Sequence, residues 1–346
     1  MNKATLAGFD PTQCLALPPL FEVDPRVLTL FWREFCMKQK IRMTAAIMYA
    51  NPLEQQKLWA AAGIIVDGIS RGLHAGKKRI VDSTSGNFGE ALAYVVRLYR
   101  ERFVASFPIE EVIAVITKST PAGKRERLSR WGITLVEAED ALDAQRVARE
   151  LAKQPDVWYT EQYWNPANGT GAYGRVGRHL VSAIPHIGAF VAGVGSGGSF
   201  SGCVESMEQA LGRTRAFYRT AVVVEPGSKV PGVRDPIALE PGTLPWRERA
   251  DDIRLVSGEA ALAFSHMLWQ QSGCVAGPSS GFATIGGLWS AFVLWTRRDM
   301  DHRRSPDGYF DIVTLFPDTR KPYRGEYEEA GFALPPNDEW DLPIAA

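Results

Sequence analysis

The chain has no run of about 18 apolar residues, so no membrane-spanning helix is expected. It has no CxxC pair. Cys14, Cys36, Cys203 and Cys274 stand apart, with no histidine at zinc-ligand spacing, which argues against a disulfide scaffold or a zinc site. The five histidines (His74, His179, His186, His266, His302) show no ligand spacing either, and no metal is expected. Charge of one sign is also missing. The 39 Lys and Arg balance the 39 Asp and Glu, which argues against a strongly basic nucleic-acid binder and against an acidic disordered tail. Residues 1–14 lack the apolar stretch of a signal peptide, and the expectation is a reduced, cytoplasmic, soluble protein. Lysine is scarce, with 11 against 28 Arg, so a lysine beside a glycine-rich turn is a candidate chemical group.

The 346 residues, 45% apolar and 23% charged, suit two globular lobes or one large one. Strand and helix patterns alternate along most of the chain. Strands are expected near 43–49, 79–82, 112–117, 134–136, 189–194, 220–224 and 311–316. Helices are expected near 26–38, 54–71, 90–103, 122–131, 141–153, 174–184, 201–211, 257–271 and 281–296. Gly72 is a plausible C-cap, and residues 227–252 read as a long loop. Short connections between strand and helix predict a parallel sheet with helices on both faces.

Three strand-to-helix turns carry small polar residues. In the first, Ser83, Thr84, Ser85, Gly86 and Asn87 gather hydroxyls, an amide and free N–H groups, which suits a carboxylate; a well-capped helix start explains the same residues. In the second, Gly195, Ser196, Gly197, Gly198 and Ser199 follow an apolar strand. Glycines let an anion approach the backbone and the opening N–H groups of the helix point at it, so a phosphate is the natural guest; a tight turn without ligand is the alternative. The third spans 277–281 (GPSSG), where Ser279 and Ser280 could serve as caps. In an open α/β sheet, ligands sit beyond the carboxyl ends of the strands, so the three turns are candidates for one small polar cofactor. The second turn is not a dinucleotide fingerprint, because its third glycine falls at Gly202, one position late.

With these segments in view, the chain resembles the cysteine synthase-like, fold type II pyridoxal-phosphate enzymes over about residues 45–323. Residues 84–89 (TSGNFG) are similar to that family's TSGNTG loop, 195–199 (GSGGS) to its GTGGT phosphate loop, and 162–168 (QYWNPAN) to its QFxNPAN segment. Residues 224–226 (VEP), 277–281 and the pair Pro317–Asp318 follow in family order. The Schiff-base lysine of the family lies in a segment NPxxSxKxR. The matching stretch is 51–59 (NPLEQQKLW), which places Lys57 at the lysine and substitutes Gln55 and Trp59 for the serine and arginine.

The resemblance implies an α/β fold of two open, mostly parallel sheets flanked by helices, with a smaller mobile domain at 45–154 and a larger cofactor-anchoring domain at 1–44 and 155–346. It implies pyridoxal 5′-phosphate held by Lys57, Asn87, Gly195, Ser196, Gly197, Gly198, Ser199 and Ser279. Asn87 would meet the ring hydroxyl and Ser279 the ring nitrogen. The substrate carboxylate would meet Thr84, Ser85, Gly86, Asn87 and Gln162. Lys57 would be the catalytic base and acid, its amine kept reactive by desolvation. The implied reaction is β-replacement on a serine- or cysteine-derived amino acid through an aminoacrylate, with a small nucleophile as second substrate. The alternatives are β-elimination of the cysteine desulfhydrase or serine dehydratase kind, and a non-catalytic partner-binding subunit. A homodimer is implied, with no nucleic acid or membrane partner. The segment after 168 departs from the family pattern, as does the loop after Pro226, and Arg175 and Arg234 are candidates for an anionic substrate or leaving group.

Overall fold

The computed structural model describes residues 6–84, 86–104, 106–212, 217–233 and 244–336. Ten strands are seen among them: β1 (Leu20–Glu22), β2 (Ile41–Ile47), β3 (Arg79–Ser83), β4 (Glu111–Thr117), β5 (Thr134–Ala138), β6 (Val157–Tyr159), β7 (Ile187–Gly193), β8 (Tyr218–Val224), β9 (Asp252–Val256) and β10 (Phe310–Phe316). They form two mostly parallel sheets flanked by helices, and the chain packs as two units.

The first unit takes in residues 6–16, Lys57–Tyr173 and Leu244. Its sheet is wholly parallel, in the order β5-β4-β3-β6. Both faces are covered, so β4 reads as an unbroken run of buried β-branched residues and alanine rather than an alternation. The helix Lys57–Ser70 is apolar on most of its circumference, with Leu58 to Ile65 all buried, as expected of a helix packed on all sides. Gly72, at φ +72°, ends it in the left-handed region that glycine enters freely.

The second unit takes in Leu17–Gln56, 174–233 and 245–336. Its sheet runs β1-β2-β10-β7-β8-β9, antiparallel only between β1 and β2. All seven residues of β10 are buried, with β2 and β7 hydrogen-bonded on either side. The helix Pro278–Thr296 lies over this sheet and supplies Phe282, Leu288, Ala291 and Leu294 to a core shared with Val191, Val222, Ile312 and Phe316. Each of these side chains except that of Ala291 stabilises the fold by roughly 1.5–3 kcal/mol on full burial.

The boundaries of the units, at 16/17, 56/57 and 173/174, differ from the 44/45 and 154/155 read from the sequence. The cause is pairing: β2 is zipped to β10, so the segment that follows it stays with the second unit up to Gln56. The loop expected at 227–252 holds a short helix, Trp246–Arg249, and leads into β9. No strand precedes the third polar turn. Ala276 makes only an isolated bridge to Thr319 before the helix begins.

Candidate active site

Lys57 opens its helix, half-buried, with Nζ 6.0 Å from the ring centroid of Phe88. Asn51 ties the preceding turn together, donating to the carbonyls of Met48 (2.7 Å) and Gln55 (2.9 Å) while accepting from Leu53 N–H. The two departures from the family pattern are both interior. Gln55 is 3% exposed and bridged to Asp318, and Trp59 is 1% exposed. They alter packing around the lysine segment rather than its outer face.

Elsewhere in the first unit, β3 ends at Ser83 and the helix Asn87–Arg102 begins after Gly86. Thr84 is buried and Asn87 half-buried. Ser85 lies outside the described residues. Gln162 is buried and turned back on β3. Its Nε2 donates to Asp82 Oδ1 (3.2 Å) and to the Ser83 carbonyl (3.0 Å), and its own N–H donates to Asp82 Oδ2 (3.1 Å). Both acceptors fix the amide orientation, since a carbonyl cannot donate. Asn168 Nδ2 donates to the Gln162 carbonyl at 2.6 Å, and Asn165 Oδ1 caps Ala167, so the 162–168 segment is braced from within.

Asp82 is a residue that sequence reading missed. It is fully buried, and burial pushes its carboxyl up to about 6 against the opposing effect of hydrogen bonds from Thr160 and Gln162 and the nearby charge of Lys57. An aspartate directly after the apolar pair Ile80 and Val81 of β3 was the available signal. Arg127, on the helix Ala122–Arg130, was missed as well. Its Nη2 donates to Asn87 Oδ1 at 2.9 Å, while its Nε pairs with the carboxylate of Glu90.

In the second unit, β7 leads through residues 194–197 into the helix Gly198–Leu211. A Cβ on Gly195 would sit 2.4 Å from the Gly232 carbonyl oxygen. Gly197, at φ +91°, would bring one within 2.6 Å of the Trp246 ring. Only glycine fits at either position. Ser196 is buried, and Ser199 half-buried. Ser279, the second residue of the helix Pro278–Thr296, donates from Oγ to Asp318 Oδ1 at 3.0 Å. Asp318 Oδ2 accepts from the Tyr323 hydroxyl.

The helices starting at Asn87, Gly198 and Pro278 share one property. Each has a glycine at the N-cap, and none is capped by a side chain. Elsewhere Asp140 accepts from Asp143 N–H and Ser257 from Ala260 N–H, whereas the helices starting at Leu30 and Ala122 also lack a side-chain cap but have no glycine at the N-cap. Apart from a long contact of Gly198 N–H to Ser196 Oγ (3.5 Å), no side chain at the N-cap serves these three starts, and an anion is a partner that such a terminus accepts.

Arg175 is half-buried in the helix Thr170–Ala183, and Arg234 lies outside the described residues. Among the described residues, no group of three His, Cys, Asp or Glu is placed to hold a metal, and no helix is long and apolar enough to cross a membrane.

The model of the family described as pyridoxal-phosphate dependent enzyme matches residues 39–291. The chain belongs to the pyridoxal-phosphate dependent enzymes. This enzyme is 25% identical to the cysteine synthase of Helicobacter pylori over 288 residues, covering 81% of this chain and 87% of that one. It is 29% identical to the N-(2-amino-2-carboxyethyl)-L-glutamate synthase of Ralstonia nicotianae over 324 residues, covering 89% and 86%. Solved structures share its fold. The O-acetylserine dependent cystathionine beta-synthase from Helicobacter pylori aligns with a TM-score of 0.71 at 23% identity, over 91% of this chain and 96% of that one. The cysteine synthase from Entamoeba histolytica aligns with a TM-score of 0.75 at 17% identity, over 95% and 93%.

The residues present fit the cofactor. The second unit offers an uncapped start of a 14-residue helix in which glycine is obligatory at two positions, as close approach of a phosphate requires. The first unit offers a half-buried primary amine within reach of an aromatic ring.

Proposed function

We propose that this enzyme carries out β-replacement on an amino acid derived from serine or cysteine, exchanging the substituent on the β-carbon for a small nucleophile. One chemical observation carries the reading. Cysteine and N-(2-amino-2-carboxyethyl)-L-glutamate, the products named for two relatives, contain the same 2-amino-2-carboxyethyl group, joined to sulfur in one and to nitrogen in the other. Enzymes that attach that group to different nucleophiles share a transfer at the β-carbon.

Bound pyridoxal phosphate supplies the electron sink for charge developing at the α-carbon. In our assignment Lys57 contributes the amine that anchors it and carries the α-proton. Gly195 to Ser199 hold the phosphate through helix N–H groups and the Ser196 and Ser199 hydroxyls. Asn87 meets the ring oxygen. Ser279 meets the ring nitrogen; its one hydroxyl hydrogen is engaged by Asp318, so it donates to that nitrogen only by exchanging this bond. Thr84, Ser85, Gly86 and Asn87 receive the substrate carboxylate at the uncapped helix start. Both hydrogens of the Gln162 amide are engaged by Asp82 and Ser83, so Gln162 reaches a carboxylate only by exchanging one of them. We assign the larger share of carboxylate binding to the N–H groups of the turn beyond Thr84, since that of Thr84 donates to the Val115 carbonyl at 3.0 Å.

A cytoplasmic homodimer completes the proposal. Phe31 (58% exposed) on the helix Leu30–Lys38 is linked to Trp289 (45%) and Trp295 (43%) by edge-on and tilted ring contacts through Trp32 and Phe292, Leu30 (60%) and Met37 (63%) are exposed on the same helix as Phe31, and a second copy of this face is the cover we assign.

The test is to mix the holoenzyme separately with O-acetylserine, O-phosphoserine, cysteine and serine, with and without sulfide. Replacement predicts a new amino acid only when the nucleophile is present. Pyruvate and ammonia at the same rate with or without it would establish elimination instead. Borohydride should fix the cofactor to Lys57, and a chain that takes up none would sink both readings.

A further inference from the structure

We propose that Arg127 is a positioning residue that holds the Asn87 side chain with its amide nitrogen, rather than its carbonyl, toward the ring oxygen of the cofactor; this rests on the reading of Asn87 given above. The two ends of an asparagine amide are nearly identical in shape and opposite in hydrogen bonding. Something must decide which end faces a ligand. Here Arg127 Nη2 lies 2.9 Å from Asn87 Oδ1. A guanidinium has donors only, so it commits the carbonyl oxygen, and Nδ2 is the end that can donate to a ligand.

Glu90 fixes the guanidinium in turn. It lies three residues after Asn87 on the same helix, one turn on, and is 6% exposed. Its carboxylate pairs with Arg127 Nε, so the planar fork engages the carboxylate through one nitrogen and the amide through another. The Arg127 side chain is 28% exposed and that of Glu90 8%, so the pair is shielded in part from water and screened less than a surface bridge. A lysine could not replace it, since a point charge serves one of two divergent partners.

The consequence is chemical. An NH2 group only donates, so Nδ2 favours a ring oxygen in its ionised form over a neutral hydroxyl. Bound cofactor with the ionised oxygen absorbs in the visible, and the neutral form absorbs in the near ultraviolet. The holder on Asn87 therefore sets the balance of the two bands without touching the cofactor.

The experiment uses reconstituted holoenzyme and reads the band ratio across pH together with the cofactor dissociation constant. Arg127→Met is expected to lower the visible share and weaken cofactor binding, each by about ten-fold, the low end of the effect of one charged hydrogen bond. The double variant E90L/R127L replaces the ion pair by apolar groups, an exchange that commonly preserves folding. It should melt no lower than the wild type yet show the same spectral loss. In an Asn87→Ala background, Arg127→Met should add nothing. An unchanged ratio in both variants, with the borohydride adduct still at Lys57, would overturn the proposal while leaving the functional reading intact. So would an undiminished effect of Arg127→Met in the Asn87→Ala background. Absence of any adduct at Lys57 in the wild-type chain would remove the functional reading, and the proposal with it.

Discussion

The Gln162 side-chain amide donates to Asp82 Oδ1 across 3.2 Å, joining the 162–168 segment to the end of β3. Asp82 is fully buried, and its carboxyl is pushed from an ordinary value of 3.8 up to about 6, burial being the largest cause. The folded chain thus holds this proton more tightly than the unfolded one. Between those two values the native state binds more protons, so stability falls as pH rises, by up to about 3 kcal/mol in total, and the benefit is gone above about pH 6. Denaturant midpoints at pH 5 and pH 7.5 should therefore differ more in the wild type than in Asp82→Asn. Equal differences would show that Asp82 does not titrate in this range.

Gly197→Ala and Gly86→Ala are expected to part company. At Gly197 the new methyl meets both a left-handed backbone and the Trp246 ring, and the change should cost about 1–3 kcal/mol and weaken cofactor binding. At Gly86 the backbone is extended, at φ −171°, with no atom within 4 Å of the added carbon, so stability should hold within about 0.5 kcal/mol. Urea unfolding of the two variants side by side checks the contrast.

Tyr323→Phe removes a hydroxyl that donates to Asp318 and leaves the Ser279 bond in place. Because Asp318 is only 5% exposed, water does not readily replace the lost donor. The expected loss is about 1–3 kcal/mol by urea unfolding, and a change indistinguishable from zero would mean that the shared carboxylate is not a stabilising centre.

If the aromatic face carries the dimer, light scattering should give twice the chain mass for the wild type and the chain mass for a Phe31→Glu, Trp289→Glu double variant. A wild-type monomer would refute that assignment.

Much of the fold was legible because alternation of apolar strands and amphipathic helices is a local property. The exceptions have physical reasons. β1 and β6 have only three residues each, and β9 is a strand at the edge of its sheet whose Ile253 (39% exposed) and Leu255 (53%) face outward, so none of them gives a long buried run. The polar turns were legible for the same local reason, since glycine, serine and asparagine cluster in a few residues. Their supports were not. Gln162 and Asp82 are 80 residues apart, Arg127 and Asn87 are 40 apart, and Ser279 and Asp318 are 39 apart. No spacing rule links such partners, because the topology of the sheets, not the helix or strand period, brings them together.

β10 is the last strand described and sits in the middle of its sheet, with Phe310 registered against Ile41 on one side and Thr314 against Val191 on the other. During synthesis the four strands between Arg79 and Tyr159 can zip together early, whereas β2 must wait for a partner made near the end. The second body therefore completes late and slowly, as distant pairings do. A ribosome that stalled before Phe310 would release β2 and β7 with no strand to bridge them, and such a product should be a substrate for chaperones rather than a smaller working enzyme.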